Sequence, residues 1–187
     1  KRIESWEKEL PKDIKFAYLP NLGRVRLRLS SKGINEKQIH AKIDKYIGKL
    51  LPLIKDIFVG YEGDAPIEKQ IQNLFKKNNI TLAIAESCTG GEIASRLTKI
   101  PGSSDYFLGS ITAYNSSVKK EILGVDDQLI KTHSVVSKEV SMEMASKVRV
   151  RFNSTYGVST TGTAGPSLGD SKEKIGTVYI SISNEDK

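Results

Sequence analysis

The chain has 187 residues, 38% of them apolar and 27% charged, a globular composition that excludes fibrous and disordered classes. No apolar run approaches the roughly 20 residues of a membrane helix, and a single cysteine, Cys88, excludes an internal disulfide framework and fits a reducing cytoplasm. The net charge of +7 is uneven: residues 1–63 hold 14 Lys/Arg against 8 Asp/Glu, and residues 64–187 hold 15 against 14, so two units with different surfaces are expected.

The opening "KRIESWEKELPKD" is too charged for a secretory leader and does not begin with Met, so the chain reads as a piece of a longer or processed protein. "IKFAYLPNLGRVRLRLS" then alternates about a Pro-Asn-Leu-Gly turn, placing Val25, Leu27 and Leu29 on one face and Arg24, Arg26 and Arg28 on the other. That pattern predicts a hairpin with a half-buried strand. Asn35 is the predicted N-cap of a helix with Ile39, Ile43, Ile47 and Leu50 on one stripe. "IKDIFVGY" (54–61) predicts a third strand, completing a small β-β-α-β domain over residues 1–63, and "EGDAP" (62–66) a boundary.

From residue 64 the pattern changes. Ile67, Ile71, Leu74 and Phe75 mark a helix, and "ITLAIA" (80–85) is an apolar run of the buried-strand type. "ESCTGG" leads into an amphipathic helix through Ile93, Leu97 and Ile100. "YFLGSITAY" (106–114) predicts a strand and "SSVKKEIL" (116–123) a short helix. Ser137 is placed to cap a helix through Val140, Met144, Val148 and Phe152, with strands at "TYGVST" (155–160) and "GTVYISIS" (176–183). Strands alternating with helices predict a layered α/β/α domain with a mostly parallel sheet.

Two loops stand where apolar strands end, "ESCTGG" (86–91) and "TTGTAGP" (160–166). Ligands in open α/β sheets bind at that edge. In the first, backbone N–H groups at a helix start, the hydroxyls of Ser87 and Thr89, and Gly90 and Gly91 would suit a phosphate or carboxylate. The plain alternative is two tight turns that need glycine for positive φ. Neither loop has the dinucleotide fingerprint or a P-loop, so a mononucleotide or small phosphorylated ligand is expected.

"AESCTGG", "PGSSDYFLGSITAYNSSVKKEILGV", "HSVVS" and "GTAGP", in this order, closely resemble the C-terminal domain of the CinA family, the PncC-type nicotinamide mononucleotide deamidases. Residues 14–63 resemble the KH-like linker domain that precedes that module. The resemblance implies a further N-terminal, molybdopterin-binding-like domain. It also implies a deamidase domain that continues past a strand like 176–183 into another strand and a long helix. It implies hydrolysis of the carboxamide of nicotinamide mononucleotide to nicotinate mononucleotide and ammonia, in the cytoplasm, by a homo-oligomer, a dimer, with no cofactor and no metal. Carried onto matching positions, the nucleophile is Ser104, the general base Lys119, and Tyr114 their hydrogen-bonding or relay partner. Ser87, Thr89, Gly90, Gly91, Thr161, Gly162, Thr163 and Gly165 are carried over as the substrate-binding set.

The chemistry is consistent with the residues available. A serine hydroxyl needs a base beside it, and the two histidines, His40 and His133, lie in other parts of the chain. Lysine serves only when neutral; at an ordinary pKa near 10.4 about one in 2,000 is free base at pH 7, so burial or a nearby cation must lower it. Lys120 is adjacent, but successive helix residues point in different directions. Two other nucleophiles compete: Ser116, whose Ser116-Ser117-Val118-Lys119 spacing fits S-x-x-K without the companion S-D-N or K-T-G motifs, and Cys88. By elimination, "ESCTGG" would hold phosphate while Thr161, Gly162 and Thr163 line the ribose or nicotinamide pocket. Two rival readings stay open: a nucleotide sensor without turnover, and a nucleic-acid module using Arg24, Arg26 and Arg28. The one G-x-x-G of the latter, "GYEG" (60–63), follows a strand pattern and carries a glutamate, which fits a turn better than a phosphate clamp.

Overall fold

The computed structural model describes residues 2–21, 24–61 and 65–186. The chain divides into two compact units, Lys1–Asp64 and Ala65–Lys187.

In the first unit a short helix, α1 (Glu4–Lys8), precedes an antiparallel hairpin of β1 (Lys15–Asn21) and β2 (Arg24–Ser30), and then α2 (Glu36–Ile54). Asn35 caps α2 as expected, its side-chain oxygen accepting from the Gln38 amide. Ile3, Trp6 and Leu50 form the core, with Phe16, Leu27 and Leu29 of the hairpin packed on it. The Trp6 indole donates to the Tyr46 carbonyl at 2.9 Å, so its one polar atom is satisfied where the ring is buried. One expectation changes here. No third strand forms at 54–61: α2 runs through Ile54, and β1 and β2 pair only with one another among the described residues. Residues 55–61 stay irregular, and Ile57, Val59 and Tyr61 are exposed, so the stretch buries too little apolar surface to be held as a strand. The hairpin turn at Leu22 and Gly23 and the boundary segment at 62–64 lie outside the described residues.

The second unit carries a four-stranded sheet in the order β4-β3-β5-β6. Its strands are β3 (Leu82–Glu86), β4 (Phe107–Thr112), β5 (Tyr156–Gly162) and β6 (Val178–Ser183). Strand β3 is parallel to both β4 and β5, and β6 is antiparallel to β5, so the sheet is mostly parallel. All five residues of β3 are buried, four of them apolar as in a central parallel strand and the fifth Glu86.

Helix α3 (Ile67–Lys77) and helix α4 (Glu92–Thr98) cover one face. Their Ile71, Phe75, Ile93 and Leu97 pack with Leu82, Ile84 and Tyr106. The other face is covered by α5 (Asp127–His133) and α6 (Lys138–Phe152), whose Val140, Met144 and Val148 meet Ala83 and Ala85. The result is the layered α/β/α arrangement expected from the pattern. Ser137 caps α6, its hydroxyl accepting from the Val140 amide at 3.2 Å. The backbones of α6 and β5 nearly touch: a Cβ on Gly157 would lie 2.0 Å from the Ala145 carbonyl, so only glycine fits. This order puts the carboxyl ends of β3, β4 and β5 side by side, and the loops that leave them share one edge.

Candidate functional site

Those loops enclose a cleft of about 260 Å³. Ser87 and Cys88 enter from β3; Tyr114, Ser116 and Lys119 come from the segment after β4; Gly162, Thr163, Gly165 and Asp170 from the loop after β5.

Its central contact is between Lys119 and Ser87. The Lys119 ammonium or amine donates to Ser87 Oγ at 3.0 Å, and both residues are buried, at 3% and 6% exposure. A helix lysine normally faces water; here the segment Val118–Ile122 is a wide π-helical turn, a distortion associated with functional sites. The Lys119 carbonyl accepts from the Val125 amide at 2.8 Å, which fixes the turn with its side chain inward. Burial pushes the Lys119 pKa down from its ordinary value, while the Cys88 thiol and the Asp170 carboxylate act in the opposite direction. Lys120 takes no part, because it forms an ion pair with Asp127 at 3.1 Å.

The expected nucleophile needs correction. Ser104 lies exposed in the 3-10 turn Ser103–Asp105, before β4, whereas Lys119 follows β4 at its other end. In register, Phe107 at the start of β4 stands beside Leu82, and Thr112 beside Glu86, the residue before Ser87. Five residue steps of strand separate the two ends, about 17 Å. A lysine side chain cannot span that distance, so Ser104 and Lys119 are not brought together. The motif carry-over chose a serine that enters β4 at the end away from Lys119, whereas Ser87 leaves the parallel neighbour β3 at the Lys119 end.

The "ESCTGG" loop is not an open anion site. Glu86, fully buried, turns its carboxylate onto the start of α4 and accepts from the amides of Gly91 (3.1 Å), Ile93 (3.1 Å) and Ala94 (2.8 Å). The donors expected to hold phosphate already have an internal anion, which also complements the helix dipole. The Thr89 hydroxyl is committed to Thr160 at 2.7 Å. Gly90 and Gly91 have φ of +60° and +99°, so they serve the turn itself, and neither lines the cleft.

After β5 the substrate-binding set divides. Thr161 is fully buried and donates to the Val135 carbonyl, a structural tie outside the lining. Gly162, Thr163 and Gly165 do line the cleft. Gly162 lets the β3 and β5 loops close, since a Cβ there would stand 3.0 Å from Cys88 Sγ. The Thr163 hydroxyl donates to Ser171 Oγ at 2.6 Å and so shapes the following loop. Tyr114 is on the cleft wall and 73% exposed.

Of the competing nucleophiles, Ser116 donates to Asp170 at 3.2 Å and is not paired with the lysine. Cys88 is in the cleft, but burial pushes its thiol pKa up, away from the reactive thiolate. His40 sits on exposed α2 beside Glu36, and His133 ends α5 beside Glu139. Arg24, Arg26 and Arg28 are exposed on the face of β2 opposite Leu27 and Leu29, the ordinary solvated side of a two-layer unit. Half of "GYEG", Glu62 and Gly63, falls outside the described residues.

Asp170 and Ser134 escaped sequence reasoning. Ser134 is buried with φ +78°, and its hydroxyl meets the Asp170 carbonyl at 3.4 Å and accepts from the Lys172 amide at 3.1 Å. No local pattern signals a contact between residues so far apart in sequence. Among the described residues no cluster of His, Cys, Asp and Glu could hold a metal ion, and no helix is long and apolar enough to cross a membrane.

The fold is a layered α/β domain with a mostly parallel sheet, and its buried serine–lysine contact lies in a cleft at the carboxyl edge, where ligand sites of open α/β sheets are found. Residues 64–187 match the family model of the CinA C-terminal domain, and the chain belongs to the CinA family. It is 46% identical over 181 residues to a CinA-like protein of Flavobacterium psychrophilum, covering 97% of this chain and 43% of that one. It is 39% identical over 185 residues to a CinA-like protein of Cytophaga hutchinsonii, covering 99% and 44%. The chain thus spans less than half the length of these relatives. Among solved structures it resembles a competence/damage inducible protein of Agrobacterium tumefaciens, with 31% identity and a TM-score of 0.60 over 64% of this chain and 72% of that one. A CinA superfamily protein of Escherichia coli is similar at 27% identity and a TM-score of 0.61, covering 64% and 70%.

Proposed function

We propose that the second unit is a serine–lysine amidohydrolase that removes ammonia from the carboxamide of nicotinamide mononucleotide, with Ser87 as the nucleophile. The observation that carries this reading is the buried 3.0 Å contact between Lys119 Nζ and Ser87 Oγ. It puts a weak nucleophile against a base whose pKa burial has lowered, the two conditions acyl transfer by serine requires. The choice of substrate rests on the family motifs.

The reaction runs in two halves. Ser87 Oγ attacks the carboxamide carbon and its proton passes to the neutral Lys119 amine, giving a tetrahedral oxyanion. Collapse breaks the C–N bond; Lys119 returns the proton to the leaving nitrogen, and ammonia departs from an ester on Ser87. Water then attacks that ester, Lys119 takes its proton, and the nicotinate nucleotide leaves as Ser87 recovers its hydrogen. Tyr114, on the cleft wall, is the relay and orienting hydroxyl for the leaving nitrogen. Gly162, Thr163 and Gly165 form the wall against which the nucleotide lies. The protein works in the cytoplasm as a homodimer, without metal or cofactor, and nucleic acid is not its ligand.

The test is ammonia release from nicotinamide mononucleotide, compared with free nicotinamide and with the dinucleotide. Turnover confined to the mononucleotide supports the reading. Binding of the mononucleotide without ammonia release would make the protein a sensor instead.

A further inference from the structure

The cleft is lined mainly by small, hydroxyl and apolar side chains, and it holds two formal charges, Lys119 and Asp170. Asp170 is an unusual residue to find there because it is held from both sides. Its carboxylate accepts from Ser116 Oγ at 3.2 Å, in the segment that carries Lys119. Its backbone carbonyl meets the hydroxyl of buried Ser134, which also takes the Lys172 amide two residues on. Next to it, buried Ser171 is tied to Thr163 at 2.6 Å and accepts from the Glu173 amide at 3.0 Å. The carboxylate is thus held at the cleft lining beside the segment that carries Lys119, while its side chain stays open to solvent.

We propose that Asp170 is a specificity-determining residue of this cleft, favouring substrates whose reacting carboxamide is carried on a cationic ring over those with a neutral ring. The inference rests on the amidohydrolase reading. For the amide carbon to reach Ser87 Oγ, the ring that bears it must come within a few ångströms of the Lys119 amine. A pyridinium there is repelled by any protonated fraction of that amine, and a carboxylate held in the same cleft lining offsets the repulsion. Asp170 is close enough to act electrostatically on Lys119 itself. The other nearby carboxylate, Glu86, is buried under α4 and bound by three amides, so it cannot meet a ligand.

The experiment compares nicotinamide mononucleotide with its dihydro form, which carries the same carboxamide, ribose and phosphate on an uncharged ring, at mildly alkaline pH. Dissociation constants and initial rates of ammonia release are measured for wild type, Asp170→Asn and Ser116→Ala. Wild type is expected to bind the cationic form more tightly. Asp170→Asn, which keeps an acceptor for Ser116, is expected to lose about three- to fivefold in affinity for the cationic form, the size of a solvent-exposed ion pair, and little for the neutral one. Ser116→Ala, which frees the carboxylate from its hydroxyl partner, is expected to keep the sign of the preference and reduce its size. Equal binding of the two forms by wild type, or an equal change for both on Asp170→Asn, overturns the proposal. If wild type binds but releases no ammonia, the amidohydrolase reading fails while the ratio of dissociation constants still decides the role of Asp170. Binding of neither form overturns both.

Discussion

Replacing Ser87 and Ser104 by alanine, one at a time, separates the two nucleophiles that motif and geometry nominate. Ser104 is exposed and begins about 17 Å of strand away from the Lys119 end of β4. Its removal deletes a solvated hydroxyl and should change stability by less than about 0.5 kcal/mol and turnover by less than about twofold. Ser87→Ala removes the atom that attacks the amide, and loss of a nucleophile that acts together with its base lowers kcat by about 10³-fold or more. It also leaves the buried Lys119 amine without its 3.0 Å partner, at a cost of about 1–3 kcal/mol if that amine is charged. Ammonia release in a coupled spectrophotometric assay gives the first quantity, and urea unfolding the second. A Ser87→Ala protein that turns over normally, or a folded Ser104→Ala protein that is inactive, would refute the reasoning.

Turnover needs the free amine, and burial holds the Lys119 pKa below 10.5, so kcat should rise with pH through that lowered value; a flat profile would exclude Lys119 as base. Lys119→Arg should be inactive at every pH, because guanidinium keeps its proton. The same shift has a stability consequence. The native state releases the Lys119 proton before the unfolded chain does, so the desolvation penalty is full below the native pKa and fades as pH rises towards 10.5. Lys119→Met should therefore raise neutral-pH stability by about 1–2 kcal/mol and flatten its rise with pH, measurable as urea midpoints across an alkaline series; a destabilised variant would contradict this. Glu86→Ala removes the acceptor of three half-buried amides at the start of α4 and should cost about 2–4 kcal/mol; a loss below about 1 kcal/mol by urea unfolding would mean that water replaces the carboxylate.

Much of the architecture was legible in the chain itself. The apolar run at 80–85 signalled the buried central strand, and the helical stripe through Val140, Met144 and Val148 packs against it. Ser137 and Asn35 marked helix starts because capping is a contact over three residues, short enough to read directly. The third strand of the first unit was misread at 54–61, because a short apolar run shows what a strand could bury and not whether the fold packs it, and Ile57, Val59 and Tyr61 are exposed.

In the site, the residue types were determined by sequence: a lysine without a histidine competitor, two glycine- and hydroxyl-rich loops, and a tyrosine at a strand end. Which hydroxyl meets the lysine was decided only by the tertiary structure. Parallel pairing of β3 with β4 sets Ser87 beside the turn that follows β4 and sends Ser104 to the far end, and the π-helical turn brings Lys119 inward. The same holds for the loop's amides, which sequence offered to an external anion and the fold gives to the Glu86 carboxylate. Caps and periodicities are local interactions written within one turn of chain, whereas strand order and register are global properties, and they select the partners of a reactive group.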